Sequence, residues 1–580
     1  MTAFLFTPFL VHFMSKMIRP LVALITLVFL FFQSSAFAVY PPPASGRDGM
    51  VVSAHHLATQ VGVDILKQGG NAVDAAVAMG YALAVVYPGA GNLGGGGFMT
   101  LHLADGRNVF LNFREKAPLA ATANMYLDAK GNVISGASIK GYLAVGVPGT
   151  VLGLDTALKK YGTMPLAKVM APAIQLAEQG FVLSAEDAKI FAAAAKDFSE
   201  QPNVAAIFLK NGQPYVAGDR LKQLALAKTL KTLAAAGSDP FYKGPIAEAI
   251  AKASKENGGI LTKEDFSNYQ VQELTPLQCQ YKNYTIISAP PPSSGGVTLC
   301  EILNIVEPYP LGFLGFHSAQ ATHYLVEAMR YAYYDRNNSL GDPDFVKNPV
   351  DQLISKDYAA TIRDKIPEFQ ATPSSELTGP ANPEGKNTTH FSIVDKKGNA
   401  VSVTYTLNNR FGARVIAGDT GFFLNDEMDD FTTKLGAANL FGLVQGEKNA
   451  IQAGKRPLSS MAPTIVMKDG KLFMVIGSPG GSAIPTAILE TFLNAVEYGM
   501  DIKSAVDSPR FHFQWLPDSI QIENLTFSRD TQEKLAGMGY RFNKPSWPLG
   551  IVEAILIDPE QKILYGANDD RIPLGAAMGY

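Results

Sequence analysis

The chain has 580 residues, 47% of them apolar and only 17% charged, which excludes an intrinsically disordered protein. A net charge of −3 leaves no basic footprint for nucleic acid. Two cysteines, Cys279 and Cys300, are too few for a disulfide scaffold or a four-ligand zinc site, and none of the eight histidines stands in an H-E-x-x-H pattern.

Residues 1–38 contain no acidic residue. Lys16 and Arg19 precede an apolar run from Pro20 to Phe32, and Ala36-Phe37-Ala38 follows in the small-x-small pattern of a signal peptidase site. Such a run rises only about 20 Å as a helix, against a hydrocarbon core of about 30 Å. The segment therefore predicts a cleaved export signal, a periplasmic or secreted mature protein, and no stable membrane anchor. Export leads to an oxidising compartment, where Cys279 and Cys300 could pair; their spacing leaves this open.

Tyr40 to Arg47 reads as a mature N-terminal tail. From His55 to Val86 the apolar spacing is helical, and the stretch after Gly69-Gly70 is alanine-rich and apolar nearly all round, which predicts close burial. Gly94 to Gly97 is not a phosphate loop, because no Gly-Lys-Ser/Thr follows; glycine there lets backbone approach backbone. Strands are expected at Phe98–Leu103 and Val109–Phe113. Residues 150–270 read as mostly helical, and Pro290 to Gly296 bends into a helix over Thr298–Val306. Residues 367–387 are polar and rich in Pro, Gly and Ser, predicting an exposed, extended segment. Past Asn387 the texture turns to strands. Three hairpins are expected, turning at Lys396–Asn399, Lys468–Lys471 and Asp558–Gln561.

Thr388 opens the first of these hairpins. Were the Asn387–Thr388 bond cut, Thr388 would carry a free α-amine with a pKa of about 8 beside its own hydroxyl. A threonine using its own amine as base is an established activated nucleophile. A turn centred on Lys397 sets Val394 opposite Ala400, Ser392 opposite Ser402 and Thr388 opposite Thr406, on one face. A one-residue slip would break that pairing.

Thr388 to Gly412 resembles the signature of the γ-glutamyltranspeptidases. Asn92–Met99, Asn112–Pro118, Pro291–Gly296, Asn425–Phe431, Arg456–Pro463 and Gly477–Ser482 are similar to further blocks of that family, in family order. The resemblance implies an α+β fold of the N-terminal nucleophile (Ntn) hydrolase type, an αββα sandwich with two stacked sheets between helical layers. It implies a precursor that cuts itself at Asn387–Thr388 into a large subunit, 39–387, and a small subunit, 388–580, held together as a heterodimer. Thr388 would attack the γ-carbonyl of glutathione or another γ-glutamyl compound. Water or an amino acid or peptide acceptor would then resolve the ester. By the same resemblance Arg114, Ser459 and Ser460 hold the donor's α-carboxylate, a group suited to a bidentate guanidinium. Asn408, Glu427 and Asp430 hold its ammonium. The Gly480 and Gly481 N–H groups form the oxyanion hole, and Thr406 is the second member of a Thr–Thr pair. No metal or organic cofactor is implied, and His390 reads as structural.

Two departures stand out. Glu427 occupies a position where bacterial members often have Gln, adding negative charge for the ammonium. Phe441, in a lid over 432–450, stands where many have Tyr; without the hydroxyl no latch to Asn408 is available, and a looser, purely apolar gate is expected. A glutaryl-specific cephalosporin acylase of the same superfamily is the alternative function; it would keep Thr388 and Arg114 but need no ammonium site. An inert, unprocessed homologue is a third possibility.

Overall fold

The structure, a computed structural model, describes residues 41–377, 388–545 and 547–580. The export segment 1–38 and Asn387 lie outside the described residues. Pro43–Tyr580 forms a unit of its own. It begins with two strands, β1 (Ala44–Gly46) and β2 (Gly49–Ser53), and two helices, α1 (His56–Lys67) and α2 (Ala72–Val86). Asn71 caps α2 by accepting the Val73 and Asp74 N–H groups, and its own N–H donates to Asp74. Every residue of α2 is buried, as its lack of a polar face requires.

The strands β3 (Gly96–His102) and β4 (Asn108–Phe113) match expectation to within a residue or two. Residues 150–270 are mostly helical, with the longer helices at Thr150–Tyr161, Leu166–Gln179, Ala185–Ser199, Leu224–Ala236 and Pro245–Glu256. Then come β5 (Gln272–Leu274), β6 (Leu277–Tyr281), β7 (Tyr284–Ser288), α3 (Gly295–Val306) and α4 (Ala319–Ser339). The part after Thr388 supplies β8 (Thr389–Asp395), β9 (Ala400–Thr406), β10 (Thr464–Lys468), β11 (Lys471–Gly477), α5 (Ile484–Val496), β12 (Glu553–Asp558), β13 (Ile563–Asn568) and β14 (Ala576–Gly579).

Two seven-stranded sheets result, ordered β1-β13-β12-β11-β10-β7-β6 and β14-β2-β8-β9-β3-β4-β5. All three expected hairpins form, as β8–β9, β10–β11 and β12–β13. Between the sheets, Met50, Val52, Val394 and Ala400 meet Ile287, Ile465, Val475 and Ile555 in a dry layer. On the outer face of the second sheet, Phe391, Ile393, Val401 and Val403 join the core that α1 and α2 cover. On the outer face of the first, Ile286, Val466, Met474 and Ile476 join the core under α3 and α5. This is the αββα sandwich of an Ntn hydrolase. Alternation along β8 and β9 explains it: odd residues turn to the helices, even ones to the other sheet. Among the even residues, Ser392 donates to Glu553 O at 3.0 Å and Ser402 to Ile476 O at 3.1 Å, tying sheet to sheet.

Three expectations are refined. The predicted N-terminal tail is in part an edge strand: Ser45 of β1 pairs with Tyr565 of β13. The extended segment is not wholly exposed. Ser374 is buried, donates to Trp515 O at 2.7 Å and accepts from the buried Arg330, so a polar residue docks because its partners are polar. Residues 378–387 lie outside the described residues. Cys279 on β6 and Cys300 on α3 form a disulfide with Cα atoms 6.0 Å apart, joining helix to sheet.

The glycine block behaves as backbone-contact glycine should. A Cβ on Gly95 would lie 1.9 Å from Thr406 O and 2.7 Å from Asn92 Oδ1. Gly95→Ala is expected to cost about 1–3 kcal/mol by overpacking, read as a lower thermal midpoint. An unchanged midpoint would show that this close approach can relax at no cost.

Candidate active site

Thr388 sits immediately before β8, nearly buried, and β8 pairs with β9 in the expected register: Thr389 faces Tyr405 and Val394 faces Ala400. Thr388 Oγ1 donates to Thr406 Oγ1 at 3.3 Å. Thr406 Oγ1 also accepts the Asn408 N–H at 2.8 Å, which fixes the oxygen that holds the Thr388 hydroxyl. Asn92 locks the end of β9 from below: Nδ2 donates to Thr406 O at 2.9 Å, while Oδ1 accepts from Gly95 N and Thr150 Oγ1. His390 is buried between Thr404 Oγ1 and Ser392 Oγ, and burial lowers its pKa to about 3. A neutral, enclosed imidazole of this kind is structural, as its sequence context suggested.

Thr388 and Thr406 open into a pocket lined also by Arg114, Asn408, Glu427, Asp430, Ser459, Ser460 and Gly481. Nine of the ten site residues expected from sequence thus converge from five separate stretches of chain. The tenth, Gly480, directly precedes Gly481 in the chain and is not itself a lining residue. It has φ +138 and Gly481 has φ +56, both in the region that favours glycine. Among the described residues neither N–H has an acceptor. They lie at the approach to α5, where backbone N–H groups and the helix dipole favour developing negative charge.

The polar wall is strongly charged. Arg114 is buried and pairs directly with Glu427 through Nη1 and with Asp430 through Nη2; Glu115 Oε2 lies 3.7 Å away. Burial opposes the charge on Arg114, but Glu427 and Asp430 outweigh it and keep the pKa above its ordinary value. Burial in turn raises Glu427 and Asp430 despite Arg114, and brings Glu115 to about 7. Asp426, also buried and raised, accepts the Asn409 N–H at 2.8 Å. Asn408 Nδ2 donates to Asp426 O at 3.0 Å, which turns the amide oxygen away from that carbonyl as an acceptor. Glu427 and Asp430 both close over Arg114. A zwitterion entering here would meet acids for its cation and a guanidinium for its anion.

The lid is not the purely apolar gate expected of Phe441. Phe441 and Leu443 do line the pocket, and a Cβ on Gly481 would lie 2.3 Å from Phe441 Cδ1, so the ring covers that glycine. The loop backbone, however, is latched by polar groups. Asp429 accepts the Leu440 N–H at 2.8 Å and Ser138 Oγ at 2.6 Å, and Gln514 Nε2 donates to Phe441 O at 3.2 Å. Backbone amides take over where the side chain has no hydroxyl.

The profile of the gamma-glutamyltranspeptidases matches residues 58–579. A glutathione hydrolase proenzyme of Pseudomonas sp. (strain A14) is 57% identical over 548 residues, covering 93% of this chain and 95% of that one. The chain belongs to the gamma-glutamyltranspeptidase family. It is accordingly an enzyme of γ-glutamyl transfer and hydrolysis. Among solved structures, the gamma-glutamyltranspeptidase of Helicobacter pylori is 50% identical with TM-score 0.55, covering 56% of this chain and 93% of that chain. A cephalosporin acylase from Bacillus halodurans is 27% identical with TM-score 0.82, covering 94% of this chain and 98% of that one.

The family blocks and the lid contain most of the pocket, but two lining residues lie outside every stretch the sequence singles out: Arg336 and Ile484. Arg336 lies within a helix, where arginine is ordinary, and only its depth distinguishes it. Ile484 stands two residues past the Gly477–Ser482 block, so extending that block would have reached it.

Proposed function

We propose that Thr388, freed by cleavage of the Asn387–Thr388 bond, is the nucleophile of a γ-glutamyltransferase that also hydrolyses glutathione. The observation that carries this reading is the Thr388–Thr406 hydroxyl pair, 3.3 Å apart, opening into the pocket that holds Arg114, Glu427 and Asp430. In the precursor the Thr388 hydroxyl adds to the Asn387 carbonyl, the acyl group moves from nitrogen to oxygen, and water hydrolyses the ester. In the mature enzyme the new α-amine takes the Thr388 hydroxyl proton as Oγ1 attacks the γ-carbonyl of the donor. The Gly480 and Gly481 N–H groups stabilise the oxyanion. The amine returns the proton to the leaving amide nitrogen, which departs as the free amine of, for glutathione, a dipeptide. Water, or an amino acid or peptide acceptor, then attacks the γ-glutamyl ester by the reverse route.

Division at Asn387 gives a large subunit, 39–387, and a small one, 388–580. The coverage of nearly all of a solved relative's chain by only 56% of this one supports such a split. Lys16 and Arg19, the apolar run to Phe32 and Ala36-Phe37-Ala38 support export to the periplasm or medium; among the described residues no helix is long and apolar enough to cross a membrane. Intact masses of the purified chains, followed by turnover of a γ-glutamyl anilide, test the reading. Two chains, the smaller starting at Thr388 and active on the anilide, are expected. A single uncut, inactive chain would sink it.

The whole-chain similarity to a cephalosporin acylase keeps a second reading in view. A glutaryl donor has no α-ammonium, so it gives Glu427 and Asp430 no cation to replace Arg114. On the present reading Glu427→Gln weakens the hold on the ammonium and raises the KM for γ-glutamyl anilide about three- to tenfold, the scale of one hydrogen-bond contact. An unchanged KM would remove Glu427 from the donor site.

A further inference from the structure

Arg336 is the second guanidinium of the pocket. It lies in the last turn of α4 and is buried. Its hydrogen bonds all end on neutral oxygens. Nε donates to Ser294 Oγ at 3.1 Å, and Nη1 to Asn337 Oδ1 at 2.9 Å and Gln445 Oε1 at 2.8 Å. Nη2 donates to Ser460 Oγ at 3.1 Å. A buried cation is ordinarily matched by a carboxylate. Arg114 has two in direct contact and a third at 3.7 Å. Arg336 has only the partial negative charge at the C-terminal end of its own helix, with Asp430 attracting it from farther off. Burial lowers its pKa to about 10, which still leaves it charged at neutral pH.

The two arginines therefore differ in what they can offer an anion. A carboxylate approaching Arg114 alone meets Glu427, Asp430 and Glu115. A carboxylate approaching Ser460 meets a hydroxyl backed by an unmatched positive charge. Ser460 Oγ accepts from Arg336, so its own O–H points elsewhere and can donate. Ser459 Oγ accepts the Met461 N–H at 3.1 Å and is left in the same condition. We infer that Arg336 is a positioning residue that sets donor specificity: through Ser460 it supplies the uncompensated positive charge that holds the donor's α-carboxylate. Glu427 and Asp430 are then released from Arg114 toward the ammonium, and both guanidiniums share the anion. This inference rests on the reading of the pocket as a γ-glutamyl site.

The test uses the full-length, processed enzyme and its Arg336→Gln, Arg336→Lys and Ser460→Ala variants. The measurements are kcat and KM for a γ-glutamyl anilide, and inhibition constants for L-glutamate and for glutamate whose α-carboxylate is replaced by an amide. Arg336→Gln is expected to raise the KM and the glutamate constant about tenfold or more, the loss of one charge-assisted contact. The constant for the α-amide should change less than about threefold, because that ligand has no anion to lose, and kcat should move little. Arg336→Lys should recover part of the selectivity. Equal losses for both ligands, or a fall in kcat at constant KM, would mean a merely structural role and overturn the inference. Should Arg336→Gln fail to yield two chains, Arg336→Lys and Ser460→Ala carry the same comparison, and retained preference for glutamate over its α-amide in both would overturn it. A wild-type protein inactive on the anilide would instead overturn the functional reading itself, and this inference with it.

Discussion

Thr388→Ala is expected to leave the purified protein as one uncut chain, with turnover of a γ-glutamyl anilide reduced by roughly 10⁴-fold or more, the scale at which loss of a covalent nucleophile is felt. The change removes one hydroxyl and one methyl group at one end of a strand and is otherwise benign. Thr388 lies at the start of β8, and its described hydrogen bond is the one to Thr406. The backbone register of β8 and β9 is set by residues further along, so folding should survive. Thr388→Ser keeps the oxygen and should restore both cutting and turnover, though more slowly, because the methyl group that restricts the χ1 rotamer is gone. Denaturing mass measurement and N-terminal sequencing report the cut; the anilide assay reports the turnover. An alanine variant that still splits at Asn387 would show that another group attacks that carbonyl.

Arg114→Gln is the second large effect, on stability as well as on donor binding. Removing the guanidinium strands Glu427, Asp430 and Glu115, all buried. Breaking a buried pair from one side costs about 3–5 kcal/mol. The carboxylates can escape by taking up protons, which gives the cost a sign with pH. All three already have pKa values above those of exposed acids, through burial, with Arg114 holding them down. Acids raised in the folded state bind more protons there than in the unfolded chain. Their contribution is therefore most favourable below the unfolded values and is lost as pH rises toward the folded ones. Without Arg114 those folded values rise further and the window widens upward. The midpoint difference between wild type and Arg114→Gln should be larger at pH 8 than at pH 5. A difference independent of pH would mean that lost packing, not charge, is what the arginine supplies.

Much of the fold and of the site is legible in the sequence. A period of two and three tight turns placed the hairpins, and a turn centre at Lys397 placed Thr406 against Thr388, because antiparallel pairing is arithmetic once the turn is known. Gly95 was readable as a close-approach residue because nothing else in the segment suited a phosphate. What stayed hidden depends on long-range neighbours. The edge strand at Ala44–Gly46 exists only because β13 offers it an open edge. Pairing of the cysteines needed the distance between β6 and α3. The lid latches run through backbone amides, which no side-chain code announces. Arg336 carries no local mark at all, since its significance lies in having neutral partners where a carboxylate would be usual.

The order of strands in the two sheets has one more consequence. In the second sheet the β8–β9 hairpin, from after Thr388, is flanked by β2 on one side and β3 on the other, both from before it. At the other edge β14, the end of the chain, closes on β2, near its beginning. In the first sheet β1 borders β13 and β7 borders β10. The parts before and after Thr388 are interwoven threads of a single fabric: a nick before Thr388 would leave the ladders between them intact. Neither piece has a complete sheet to retreat to, so they should melt in one transition and separate only by unfolding.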